Sequence, residues 1–188
     1  MSTATTTDSS LASATGTWVI DTVHTTIGFS VRHAMVSKAR GSFTDYSGLF
    51  TIDGDNLASS TAELTIQVAS IETKSADRDA HLKSPDFLDV ENFPTLTFVS
   101  TAVVAKGDDV IVTGDLTIHG VTKSVDVTYR FLGLSTDPWG NQKIGFEGSA
   151  KISRKDFGLT WNAALETGGV MVGDDIKLNL DVEATKQV

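Results

Sequence analysis

The feature that most constrains this chain is a period-two alternation of apolar and polar residues, which begins at Trp18 and continues almost to the end of the sequence. Successive side chains of a β-strand point to opposite faces, so this period is typical of strands with one buried face. The clearest runs are 27–31, 62–68, 110–112, 116–118, 125–131, 144–152 and 176–182, with a weaker run over 95–104. The sequence therefore predicts a mainly β protein.

Short polar segments separate these runs. They contain Gly, Asp, Asn and Pro, which favour turns for backbone reasons, and they lie at 53–56, 106–108, 119–120, 137–141 and 173–175. Connections this short join antiparallel neighbours. The acidic residues in these turns are interpreted as solvated hairpin tips, because Asp and Asn favour turns for backbone reasons. The segment 53–56 lacks the rest of a calcium-binding loop.

One segment departs from the alternation. Between about 75 and 90, Ser75 offers a helix cap, acidic residues follow it, Lys83 lies near the end and Pro85 provides a stop. This pattern predicts one short helical segment followed by a turn. The apolar residues of 86–88 and 93–94 suggest that the segment folds over one end of the β structure.

The length of 188 residues suits one domain. We expect a flexible Ser/Thr-rich tail over residues 1–16 and a single β domain over 17–185. The first residues as given have neither a basic region nor an apolar run, so the sequence predicts no secretory signal and a cytoplasmic location. No run approaches the roughly 20 apolar residues of a transmembrane helix, so no integral membrane segment is expected.

Charge and composition exclude several functions. The net charge of −9 repels phosphate backbones, so nucleic acid is not an expected partner. The chain has no cysteine, which rules out disulfides, thiol catalysis and cysteine-ligated metals. It also has no HExxH motif, no G-x-S-x-G elbow and no glycine-rich phosphate loop. The sequence therefore predicts no metal site, no cofactor and no local catalytic motif.

The four histidines are the residues that could still carry chemistry. His24 and His119 are expected at turns, and His81 is expected to pack on the short helix. His33 continues the parity of 27–31, so its ring is predicted to face the same side as those apolar residues and to contact the polar head of a ligand.

Arg32 and Arg154 are the cations most suited to bind a phosphate or a carboxylate, because a guanidinium presents a planar fork of donors. The alternative is a structural ion pair with Asp21, Asp79 or Asp156. An uncompensated charge inside a β domain would be costly, so the structural interpretation is preferred.

Periodicity alone leaves the architecture open. Strands of this number form either a closed barrel or a two-layer sandwich, since both bury one face of each strand. A barrel of about eight strands is the smallest that can hold a small ligand. The inward faces fit either a filled core or a ligand cavity, although Gly148 and Ala150 beside Phe146 predict some interior space.

A series of motifs resembles the YceI-like family over about residues 17–184. The first is WVIDTVHTTIGFSVRH at 18–33, and the others lie in matching order and spacing at 41–43, 70–73, 78–82, 86–90, 93–98, 114–122 and 152–158. The ordered set is specific, although no single motif is. Many members of that family are exported to the periplasm, whereas this sequence as given shows no signal peptide.

The resemblance implies an all-β fold, an extended antiparallel eight-stranded lipocalin-like barrel whose interior binds a polyisoprenoid or a related long-chain lipid without catalysis. Such a lipid is then the expected partner, and a homodimer is left open. On this basis the expected ligand-binding residues are Phe29, Val31, His33, Leu64, Ile66, Phe98, Leu116, Ile118, Tyr129, Phe131, Phe146 and Leu178.

The main functional hypothesis is thus non-enzymatic carriage or storage of an isoprenoid, of the isoprenoid quinone or prenyl phosphate type. A fatty acid or fatty amide carrier would use the same interior. An enzyme acting on a lipid head group, with His33 and Arg32 or a nearby carboxylate, is an alternative of another class. A filled barrel that serves only as an interaction module is a third.

Overall fold

The computed structural model describes residues 11–188, and most of them lie in antiparallel strands. The strands are β1 (Gly16–Ile20), β2 (Thr26–His33), β3 (Ser37–Phe43), β4 (Tyr46–Ile52), β5 (Thr61–Gln67), β6 (Ile71–Glu72), β7 (Thr95–Lys106), β8 (Asp109–Ile118), β9 (Val121–Thr136), β10 (Gln142–Ser153) and β11 (Val172–Lys186). One α-helix, α1 (Ala76–Lys83), and four short 3-10 turns complete the described elements.

The sheet closes into a barrel because β11 pairs with β1 as well as with β10. The end of β11 pairs with β1, and the preceding part of β11 pairs with β2, so β1 and β2 are two halves of one broken strand. Likewise, β3 and β4 are two halves of one broken strand, and so are β5 and β6. Counted so, eight antiparallel strands surround the interior, which confirms the predicted fold class.

Helix α1 lies in the long connection between β6 and β7. Its cap is the predicted one, since the Ser75 hydroxyl accepts a hydrogen bond from the Arg78 amide at 3.4 Å. The helix ends at Lys83 and turns follow from Pro85, which agrees with the predicted short helix and turn within 75–90. Within residues 11–188, no helix is long and apolar enough to cross a bilayer.

The interior contains two hydrophobic clusters. The helix-end cluster lies near α1 and includes Ile66, Leu116, Ile118, Phe157 and Leu180. The amino-terminal cluster lies at the opposite end and includes Leu11, Trp18, Ile52, Val110 and Ile144. Phe98 and Tyr129 pack against both clusters, so these two side chains mark the middle of the barrel.

Residues 11–16 differ from the flexible tail expected there. Leu11 is 2% exposed and Ala14 is fully buried. The Trp18 indole donates a hydrogen bond to the Ala14 carbonyl at 2.9 Å, and the Gly54 amide donates to the Thr15 hydroxyl at 2.9 Å. The buried side chains of Leu11 and Ala14 thus anchor this segment to the end of the barrel. The first ten residues of the predicted tail lie outside the described part of the chain.

Candidate functional site

The candidate site is a cavity of about 300 Å³ inside the barrel. It reaches from Leu11 in the amino-terminal cluster to Phe157 in the helix-end cluster, and its wall is almost entirely apolar. A volume of about 300 Å³ is at the lower end of the range for ligand pockets. The cavity therefore suits an apolar molecule.

Most of the residues predicted to contact a ligand lie on this wall. Ten of them line the cavity: Phe29, Val31, Leu64, Ile66, Phe98, Leu116, Ile118, Tyr129, Phe146 and Leu178. The period-two parity located them because each strand turns one face to the interior. The other two predicted residues, His33 and Phe131, do not line it.

His33 and Phe131 lie next to irregularities that parity cannot detect. His33 is the last residue of β2 and lies beyond the point where the register between β2 and β11 shifts. Phe131 precedes a register shift between β9 and β10, and its ring packs on Phe146 with centroids 5.6 Å apart. A strand bends at such an irregularity. A residue beyond it can therefore be an even number of positions from inward-facing residues and still lie away from the cavity.

Three aromatic rings of the wall lie directly over glycines. The pairs are Phe29 over Gly41, Phe98 over Gly114 and Tyr129 over Gly148. A Cβ placed on Gly148 would come within 2.4 Å of the Tyr129 ring, and similar overlaps occur in the other pairs. Because the glycines have no side chain, the rings can occupy the space beside their Cα atoms. The space predicted over Gly148 is thus occupied by the Tyr129 ring, not by the cavity.

The helix end supplies wall residues that strand parity did not indicate. Phe87, Leu88, Phe157 and Leu159 are buried and line the cavity, although they lie outside the strands. The apolar residues of 86–88 were the only sequence signal, and their position agrees with the prediction that this segment covers one end. Leu159 follows a 3-10 turn that periodicity does not reveal.

Arg154 lines the cavity but is fully engaged by the protein. Its side chain is 3% exposed, and it donates hydrogen bonds to the carbonyls of Leu159, Trp161 and Gly173 at 2.7–2.9 Å. Burial lowers the pKa of the guanidinium, while the Asp174 carboxylate, 3.6 Å away, opposes that shift. Arg154 therefore stabilises the loop before β11 and has few donors left for a ligand.

The ion pairs suggested for the two arginines are not formed. The carboxylate near Arg154 is Asp174, and none of the three predicted acids is its partner. Arg32 is exposed and donates to the Met35 carbonyl at 3.2 Å. Two of the predicted acids have other partners. Closure of the barrel brings Asp21 next to Lys143, and the Asp79 carboxylate accepts a hydrogen bond from the Thr73 amide near the start of α1.

The other three histidines also lie away from the cavity wall. His24 is on an exposed turn, as predicted. His81 on α1 packs against Trp161 with ring centroids 4.7 Å apart. His119 occupies a turn at φ 53° and packs on Phe93 at 4.6 Å. Their positions agree with structural roles at turns and on the helix.

A group of polar side chains, the rim cluster, lies where β1, β10 and β11 meet. It consists of Asp21, His24, Lys143 and Glu183. Ligand atoms of Asp21, His24 and Glu183 lie within 4.8 Å of one another, a proximity that sequence spacing did not predict because β11 is distant in the chain. The Lys143 ammonium is 2.9 Å from the Asp21 carboxylate, so the protein itself supplies a cation there.

The rim cluster shifts the acidity of its members. Hydrogen bonds from His24 and then Lys143 hold the pKa of Asp21 well below its ordinary value. The same contacts with Asp21 raise the pKa of His24 and of Lys143. These shifts are those of a mutually neutralising ion-pair network.

Sequence comparison relates the chain to known proteins. A model of the YceI-like domain matches residues 18–184. Over 164 residues the chain is 41% identical to a UPF0312 protein of Pseudomonas paraeruginosa and 38% identical to Protein YceI of Escherichia coli. Each alignment covers 87% of this chain and 83% of the relative.

Solved structures share the architecture. Burkholderia cenocepacia BcnA superimposes with a TM-score of 0.75 at 25% identity, covering 88% of this chain and 99% of that one. The YceI protein of Campylobacter jejuni gives 0.69 at 32% identity, covering 84% and 90%. A polyisoprenoid binding domain from Saccharophagus degradans has the same fold, with a TM-score of 0.67 at 16% identity over 90% and 98% of the two chains. The family model over residues 18–184 and the sequence relatives show that the chain belongs to the YceI-like domain family.

Proposed function

We propose that this protein binds one long apolar lipid inside its barrel and carries or stores it without chemical change. The observation that carries the proposal is the cavity of about 300 Å³, whose wall is almost entirely apolar and contacts both hydrophobic clusters. None of the four histidines lines the wall, so the imidazoles are separated from a lipid bound in the cavity. This separation supports a carrier over an enzyme that acts on a lipid head group.

The affinity of such a site would come from the lipid tail. Transfer of each CH₂ group from water to an apolar interior contributes about 0.8 kcal/mol, which corresponds to roughly a fourfold gain in affinity per methylene. The wall is also formed in advance, because three of its aromatic rings are already packed on glycines. Little ordering would then oppose binding.

A polyisoprenoid is the ligand class that we favour, of the isoprenoid quinone or prenyl phosphate type. The S. degradans protein of the same fold is a polyisoprenoid binding domain, which supports this class. A branched, uncharged tail is also compatible with a wall of mixed aliphatic and aromatic side chains. A fatty acid or fatty amide is the second candidate, since an apolar wall also suits a straight alkyl chain.

Native mass spectrometry of purified protein, followed by organic extraction, tests carriage directly. We expect one lipid per barrel, recovered chemically unchanged after incubation. Conversion of that lipid would favour the enzyme. A barrel that neither retains a lipid nor binds an added one would favour an interaction module and contradict the proposal.

A series of prenyl alcohols of increasing length provides the quantitative test. Affinity should rise by a similar factor with each added apolar unit and reach a plateau once the cavity is full. Equal binding of short and long tails would place the lipid outside the barrel.

A further inference from the structure

The polar side chains on the cavity wall are mostly satisfied by the protein. The Ser60 hydroxyl accepts a hydrogen bond from the Asp53 amide at 3.0 Å, and the hydroxyls of Thr51 and Thr17 bond each other at 3.1 Å. Arg154 donates to backbone carbonyls, as described above. Thr61 and Glu63 also line the cavity, but they are exposed to solvent. Tyr129 differs, because it is not exposed and within residues 11–188 no group forms a hydrogen bond with its hydroxyl.

The Tyr129 hydroxyl is open to the cavity. No fully enclosed side-chain oxygen or nitrogen in the described part of the chain lacks a partner, so this unpaired hydroxyl must retain accessible surface. Tyr129 lines the cavity, which places that surface in the lumen. Burial raises the pKa of Tyr129 to about 12, so the group is a neutral hydroxyl that can donate a hydrogen bond across the physiological pH range.

The ring that carries this hydroxyl is fixed in place. It lies over Gly148 on β10 and meets the Phe146 ring edge-on, with centroids 6.2 Å apart. Its cross-strand neighbour on β8 is Val110. Contacts with both hydrophobic clusters place Tyr129 midway along the barrel, so the donor lies deep inside and not at either end.

The other tyrosine shows that this fold can satisfy a buried phenol. The Tyr46 hydroxyl donates a hydrogen bond to the Thr25 carbonyl at 2.7 Å, and Tyr46 is absent from the cavity wall. An unpaired polar group in an apolar interior is costly unless a partner arrives. The difference between the two tyrosines indicates that the partner of Tyr129 is a bound molecule.

We propose that Tyr129 determines ligand specificity by donating a hydrogen bond to an uncharged oxygen acceptor of the lipid, such as a carbonyl, at the middle of the barrel. The inference rests on the proposed function and narrows its ligand class. A phosphate or an ionised carboxylate at this depth would lack a free cation, because the Arg154 guanidinium is engaged by backbone carbonyls. Neutral carbonyl-bearing lipids are therefore favoured over prenyl phosphates and ionised fatty acids.

The test compares farnesylacetone, an uncharged isoprenoid ketone, with the hydrocarbon of the same skeleton and with farnesyl phosphate. Affinities are measured by competition with a fluorescent apolar probe. Wild-type protein should bind the ketone about tenfold more tightly than the hydrocarbon, the effect of one neutral hydrogen bond, and the phosphate more weakly than the ketone. Tyr129→Phe should lose the ketone preference by binding the ketone less tightly while hydrocarbon binding is unchanged.

Tyr46→Phe is the matched control, since it removes a hydroxyl that the protein already satisfies. It should keep the tenfold preference. Infrared spectra add a readout independent of affinity: the ketone C=O stretch should be lowered in the wild-type complex and return to its apolar-solvent frequency in Tyr129→Phe.

Four results would overturn the inference. If wild type binds ketone and hydrocarbon equally, or if Tyr129→Phe keeps the preference, lipid carriage stands and the role of Tyr129 falls. If farnesyl phosphate binds as tightly as the ketone, the restriction to neutral lipids is wrong. If none of the three probes binds, the proposed function and the role of Tyr129 fail together.

Discussion

The cavity and the rim cluster, both formed by the same barrel, have opposite chemistry. The cavity wall is almost wholly apolar, and the Tyr129 hydroxyl at its middle has no hydrogen-bond partner within the described residues. The rim cluster is the opposite, since the His24 imidazole and the Lys143 ammonium lie 3.0 Å and 2.9 Å from the Asp21 carboxylate at the end of the barrel. Ionisable groups are thus concentrated where water can solvate them, and the interior is left for an uncharged ligand.

This separation bears on function as well as on stability. Catalysis of a polar reaction needs titratable groups within hydrogen-bond reach of the reacting atoms. The rim cluster brings several titratable side chains together, but none of them lines the cavity wall. The following predictions test whether the two regions are as independent as their chemistry indicates.

The largest effect is expected from a charge placed in the cavity. Phe146→Asp would set a carboxylate among the rings of Phe50, Tyr129 and Phe131, at a cost of about 3–5 kcal/mol for an uncompensated buried charge. We expect lipid affinity to fall at least a hundredfold and the urea midpoint to fall with it. Circular dichroism must first show that the barrel is folded.

Leu132→Asp is the control for that variant, because Leu132 is 57% exposed on the adjacent strand. It should change neither stability nor binding appreciably. If Phe146→Asp does not fold, Phe146→Ala removes the ring without adding a charge and should shift the optimum towards longer tails. Folded variants at Phe146 that bind every tail as the wild type does would show that the cavity is not the lipid site.

A smaller effect is expected from one methyl group in the wall. Gly148→Ala would place a Cβ about 2.4 Å from the Tyr129 ring, which must then move towards the lumen. Overpacking of this kind typically costs about 1–3 kcal/mol. We expect reduced stability in urea unfolding and a preference for shorter tails in the prenyl alcohol series.

Gly145→Ala on the same strand is the matched control. Its Cβ would meet Leu132 at 3.6 Å, an ordinary van der Waals distance on the outer face. It should leave the preferred tail length unchanged. An equal change in both glycine variants would mean that the effect is a general property of β10 and not of the aromatic ring over Gly148.

The rim cluster should affect stability modestly and with a defined pH dependence. The raised pKa of His24 contributes stability that is complete below the ordinary value of 6.5 and is lost as pH rises through the raised value. The lowered pKa of Asp21 contributes stability that is present above 3.8 and is lost as pH falls below it. The stabilisation by the cluster is therefore greatest between about pH 4 and 6.5.

Urea unfolding of wild type and His24→Gln at pH 5.5 and pH 9 checks this dependence. The stability difference between the two proteins should be larger at pH 5.5. Lipid affinity should be the same in both proteins at each pH, because the rim cluster does not line the cavity. A variant that loses lipid binding would show that the two regions are coupled.

The smallest effect, no change at all, is expected from chelation. Lys143 already neutralises Asp21, so EDTA should alter neither the melting temperature nor lipid retention. A stoichiometric metal that is lost together with the lipid would contradict this prediction.

The sequence by itself determined the class of fold and most of the cavity wall. Period-two alternation is a local property, because successive side chains of a strand point to opposite faces whatever strand lies beside it. Phe29, Ile66 and Leu178 could therefore be assigned to the interior before any pairing was known, and the structure places them there. The cap of α1 was predictable for the same reason, since Ser75 and Arg78 are neighbours in the chain.

Only the tertiary structure decided which parts of that interior stay open and which groups remain unpaired. The register that sets Tyr129 over Gly148 joins β9 to β10, and the shift in the pairing of β2 with β11 leaves His33 away from the cavity. The partners of Arg154 lie in a loop, and Asp21 meets Lys143 only because the barrel closes. Such contacts depend on strand pairing across long sequence separations, about which the local alternation of apolar and polar residues carries no information.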